Sequence, residues 1–136
     1  MRKAGLIGML ALSGCMGQSS IRPLRPLEIA TAPYHDVATT ALTGSLMYEG
    51  GCLLFRDDRS RVLVMPIWPA GTSFNGSAVN FHLPGKTDQL IAIAQEVVLG
   101  GQPIAWGVLG TPEYQPLQHQ CGAYAPFSVS TARPAD

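Results

Sequence analysis

The chain of 136 residues carries nine Lys plus Arg against nine Asp plus Glu, a formal charge of zero, and 46% of it is hydrophobic. That length fits one domain at most, and so few charges among so many apolar residues exclude a disordered or coiled-coil chain. No basic excess or stripe is present, which argues against nucleic acid as a partner.

In chain order, Met1-Arg2-Lys3 gives a positive start and Ala4 to Leu12 an uncharged apolar run. A bilayer-spanning helix takes about twenty apolar residues, so this segment reads as a processing signal and not an anchor helix. Leu12-Ser13-Gly14-Cys15 follows, and then Met16 to Ser20, small and polar, do not continue a helix. The four residues from Leu12 to Cys15 resemble the lipobox of bacterial lipoproteins. That resemblance implies that the Cys15 thiol takes a diacylglycerol, that residues 1–14 are cut away, and that the new amino group is acylated. Met16 stands where an Asp would retain the protein at the inner membrane, so the implied location is the outer membrane, facing the periplasm. Loss of Arg2 and Lys3 leaves seven basic residues against nine acidic ones. Acyl chains would then hold the protein at the membrane, each buried methylene contributing about 0.8 kcal/mol.

Residues 15–40 read as a lipidated, flexible tether, with Pro23, Pro26 and Pro33 among polar residues and no sustained apolar period. Fully extended, such a segment reaches on the order of 80 Å. Ile21, Leu24, Leu27 and Ile29 stand against this, since they are able to pack part of it onto the domain. Residues 41–136 are the expected domain. Leu42 to Tyr48 and Cys52 to Phe55 read as strands around a turn at Glu49-Gly50-Gly51, and Arg56 to Arg61 as a solvated, charged hairpin tip. Val62 to Met65 is a strand ended by Pro66 and Pro69. Gly71 to Gly76 is a loop, and Val79, Phe81 and Leu83 alternate with Asn80 and His82 as in a half-buried strand. Leu90 to Leu99 fits a helix by spacing, but its Ile, Val and Leu pairs favour two strands broken at Gln95-Glu96. One more strand is expected between Ile104 and Leu109.

Short strands at regular intervals predict a mainly β domain, a small antiparallel barrel or sandwich. Tyr48-Glu49-Gly50-Gly51-Cys52-Leu53, Trp68-Pro69-Ala70-Gly71-Thr72 and Glu96-Val97-Val98-Leu99-Gly100-Gly101, with Cys121 near the end, resemble small bacterial secreted lipoprotein domains of unassigned function. The resemblance implies an OB-like barrel and an exported location, and no activity.

With Cys15 committed to lipid, Cys52 and Cys121 remain in a domain bound for an oxidising compartment, where a pair is normally bridged. The alternative for His119-Gln120-Cys121 is a metal site, but His35 and His82 are distant and lack ligand spacing, so no metal and no cofactor is expected. Gly71-Thr72-Ser73-Phe74-Asn75 begins like a nucleophile elbow, yet Asn75 replaces the final Gly and no strand-to-helix context follows. No catalytic residue is assigned and no enzyme expected. Trp68, between Pro66 and Pro69, reads first as a plug for one end of the barrel. Its second reading is an aromatic anchor which, with Thr72, Ser73 and Phe74, forms a binding loop. The expected function is a membrane-anchored, non-enzymatic envelope module contacting an envelope protein or a cell-wall glycan. The alternative is a periplasmic enzyme inhibitor acting through an exposed loop.

Overall fold

A computed structural model describes residues 21–135, so the expected signal segment 1–14 and the expected lipidation position Cys15 lie outside the described part. Among the described residues, nine strands form two sheets: β1 (Ala30–Ala32), β2 (Thr40–Glu49), β3 (Cys52–Asp57), β4 (Leu63–Pro69), β5 (Ser73–Phe74), β6 (Ala78–Phe81), β7 (Gln89–Ala92), β8 (Val97–Pro103) and β9 (Ala125–Pro134). Between β8 and β9 the chain makes two 3₁₀ turns, Trp106–Leu109 and Pro112–Tyr114, and the helix α1 (Gln115–Cys121).

Five strands close into a barrel in the order β4-β3-β2-β8-β9, with β9 returning to β4. Every junction is antiparallel except the closing one, where Val64 to Ile67 run parallel to Ala125 to Ser128. This is an OB-like barrel. The β2–β3 hairpin turns on Gly50 and Gly51, at φ +62° and +81°, the left-handed pair that a two-residue turn demands. The charged tip from Arg56 to Arg61 is solvated as expected, and Asp57 pins it by accepting bonds from the Ser60 amide at 3.0 Å and hydroxyl at 2.7 Å.

Strands β3 and β4 are buried on both faces, which is why Cys52 to Phe55 form an unbroken apolar run. Leu53, Phe55 and Trp68 point into the barrel with Leu46, Leu99 and Phe127. Cys52, Leu54, Met65 and Ile67 point outward into a second core with Ala30, Leu109, Leu117 and Cys121. The second sheet, β5-β6-β7, adds Phe74, Val79, Phe81 and Ile91 to the first core. A disulfide joins Cys52 to Cys121, 69 residues apart, and ties α1 to the outer face of β3.

Four sequence expectations change. The folded body begins well before residue 41: Ala30, Thr31 and Ala32 pair with Ile67, Trp68 and Pro69, and Ala30 is buried. Residues 22–39 therefore act as a strap and not as part of a flexible tether, because the outer face of β3 and β4 needs an apolar cover. Pro66 and Pro69 do not stop β4 at Met65. On one edge β3 pairs as far as Val64 and β1 begins at Ile67, so Pro66 falls in the gap, where a missing N–H can be accommodated without losing a ladder bond. The segment Ile104 to Leu109 turns into 3₁₀ geometry instead of a strand. β9 has no counterpart in the sequence reading, because its serines, threonine and prolines hide a ten-residue strand. By contrast, Leu90 to Leu99 does break into two strands, and Ala94 at φ +72° interrupts any helix there.

Candidate functional site

The expected binding loop is not a presented surface. Trp68 is 1% exposed and packs edge-on against Phe81, ring centres 6.0 Å apart. Phe74 is buried against Tyr48 at 5.2 Å, and the buried Thr72 hydroxyl accepts the His82 amide at 3.1 Å. Only Ser73 of the four is exposed. The anchor reading of Trp68, Thr72 and Phe74 is thus corrected, and so is the loop from Gly71 to Gly76: Ser73 and Phe74 form β5, an edge of the second sheet, because Trp68 and Phe74 complete the barrel core.

His82 lies on the outward face of the second sheet, as its alternation implied, but with a partner that the sequence did not single out. Its Nδ1 sits 2.8 Å from Asp88 Oδ1, and the Asn80 amide donates to Asp88 Oδ2 at 2.9 Å. The His82 and then the Asn80 hydrogen bond hold the Asp88 carboxyl below its ordinary value. Gly71, at φ +97°, packs flat against the imidazole, where a Cβ would stand 2.6 Å from the ring. The dyad orients one imidazole, yet among the described residues no hydroxyl or thiol is hydrogen-bonded to its Nε2 and no trio of metal-ligating side chains gathers. His35 and His119 lie on other elements, so neither joins it.

The feature best shaped for recognition is a groove of about 380 Å³ between the strap and the 3₁₀ turn Trp106–Leu109. Pro33, His35 and Val37 form one wall, and Ile104, Val108 and Tyr114 the other; Ile67 and Leu109 also line it. Val37 is 45% and Val108 73% exposed, so its rim is apolar. Hydrogen bonds fix both walls. The Ser130 hydroxyl donates to the Val37 carbonyl at 3.0 Å, the Tyr114 hydroxyl to the Thr31 carbonyl at 2.7 Å, and the Trp106 indole to the Tyr124 carbonyl at 2.9 Å. Burial, then the Glu113 charge, pushes the Tyr114 phenol up, which keeps it a neutral donor. A preformed apolar concavity with a few polar groups is what a ligand side chain needs. No sequence signal marks it, since Val37 was read within a tether and Val108 within a strand.

The fold defines a disulfide-bridged, five-stranded OB-like barrel. No family model, curated protein or solved structure matches the chain.

Proposed function

We propose that the chain is a non-enzymatic, lipid-anchored domain of the bacterial cell envelope, held by Cys15 at the outer membrane, which binds an envelope protein through the groove between Val37 and Val108. The groove carries this reading: its walls are pinned and its rim is apolar, so an inserted apolar side chain gains burial at little ordering cost. A protein fits it better than a cell-wall glycan, because Tyr114 in the lining is 9% exposed and its phenol ring offers no open face to a sugar ring. The Cys52–Cys121 bridge is in keeping with an oxidising compartment and leaves the third cysteine, Cys15, for lipid.

A photocrosslinking residue in place of Val108, in the full chain and in intact cells, tests the groove. The expected result is one discrete protein adduct that disappears when Val37→Asp is added and is not formed from Val62. Absence of an adduct, or one indifferent to Val37→Asp, overturns the groove. The inhibitor reading draws on the tip from Asp57 to Val62, which is pinned by Asp57 and exposes Val62 by 54%. An adduct from Val62 and not from Val108 selects that reading instead.

A further inference from the structure

Ile21, the first described residue, stands six positions after Cys15. Six residues of extended chain span at most about 20 Å, so the Ile21 backbone stays within about that reach of the Cys15 backbone. Four pieces of chain converge there. The Leu27 amide donates to the Tyr48 hydroxyl at 3.3 Å, and the Leu27 side chain lies over Gly76. Leu24 packs beside Gly51, and the Gln120 amide donates to the Gly50 carbonyl at 2.8 Å. The strap, the β2–β3 turn, the loop at Gly76 and the end of α1 thus make one pole of the molecule.

This pole gathers exposed apolar side chains. Ile21, Leu27 and Tyr48 are each more than a third exposed, and Tyr48 joins an apolar ring to a polar tip, the pattern of residues at membrane interfaces. Arg22 is paired with Glu28, with Nη1 to Oε1 at 2.9 Å, and the side chain of Arg25 is exposed at the rim. Glu28 and Glu49 match Arg22 and Arg25 in number, so apolar contact and not net charge would hold this surface to lipid.

We propose that the pole of Ile21, Leu27 and Tyr48, with Arg25 at its rim, rests on the bilayer that carries the Cys15 lipid. The domain is then seated on the membrane and not suspended from it, and the β3–β4 tip, at the far end of β3 from the β2–β3 turn, points away. The inference rests on the lipid-anchor reading above.

The test uses the full chain purified from membranes and reconstituted in phosphatidylethanolamine–phosphatidylglycerol vesicles, with a nitroxide on Pro26→Cys or Val62→Cys. With Cys15 acylated and Cys52 bridged to Cys121, each added cysteine is the free thiol. Power saturation compares collisions with oxygen, which concentrates in lipid, and with a water-soluble nickel chelate. The expected oxygen-to-nickel ratio is several-fold higher at Pro26→Cys than at Val62→Cys. Should Pro26→Cys fail to fold, His119→Cys reports on the same pole from α1. Equal ratios in acylated protein overturn the seating alone. A label shielded from both reagents shows a protein neighbour on the pole and also overturns it. Protein whose mass lacks acyl chains overturns the lipid-anchor reading, and the seating with it.

Discussion

Trp68 stands where the barrel meets the second sheet, and its indole N–H is buried without an acceptor among the described residues. Truncating such a ring costs about 3–5 kcal/mol. For a domain of this size Trp68→Ala should therefore lower Tm by roughly 10–20 °C, read by scanning calorimetry. Trp68→Phe should cost much less, because it keeps most of the apolar ring and removes a donor whose lone burial costs about 1–3 kcal/mol. A shift of only a few degrees for Trp68→Ala would contradict its place in the core. Its neighbours from Pro66 to Pro69 show why residue chemistry did not decide this. A proline-framed tryptophan fits a buried plug first but also a rigid surface anchor, and burial depends on Phe81 and Phe127, which arrive from distant strands.

Among the elements, the strap rests on a partly exposed support, the Arg22–Glu28 ion pair. Glu28 accepts from Arg22 and, at 3.0 Å, from the Arg25 amide, so its carboxyl lies below its ordinary value of 4.5, chiefly through the Arg22 hydrogen bond. A carboxylate lowered in the folded state contributes stability that is full above 4.5 and is lost as the pH falls through the lowered value. Hydrogen exchange, corrected for intrinsic rates, should show the amides of Arg25, Leu27 and Glu28 losing protection in that acid window while the barrel amides keep theirs. In Glu28→Gln the loss should already be present at neutral pH. Unchanged protection in the variant would refute the role.

The helix α1 depends on a different support. Its seven residues are too few to be stable alone, and the bridge to Cys52 holds Leu117 against the second core. Replacing both cysteines by serine releases a loop whose closure stabilises by about 4 kcal/mol in the chain-entropy model. The urea midpoint should fall accordingly, with exchange in α1 rising before that of β2 or β8. Retention of the parent midpoint would mean that packing alone holds the helix.

For the whole molecule, anchoring and fold are separable. Cys15→Ala should abolish incorporation of a fatty-acid probe and release the protein from the membrane fraction, yet leave the barrel's melting curve unchanged, since the described barrel is built from residues after it. Equal labelling of both proteins would end the lipid-anchor reading. Leu42 to Phe55 and the two strands within Leu90 to Leu99 were legible because alternation, paired glycines and branched residues are local signals that neighbours in sequence create. The groove was not legible. Val37, Ile104 and Val108 carry no motif and are assembled only when the strap crosses the outer face of β4.

The sequence by itself determined that this is a mainly β domain of short strands, placed its first hairpin and its charged tip, and led to the Cys52–Cys121 pair through the cysteine count and the expectation of export. Only the tertiary structure decided the parallel closure of β9 on β4, the docking of β1, the burial of Trp68 and the position of the groove. The physical reason is range. Turns and strand alternation are set by dihedral preferences and the side chains of adjacent residues, whereas closure, strap docking and burial draw their free energy from apolar surface brought together across tens of residues.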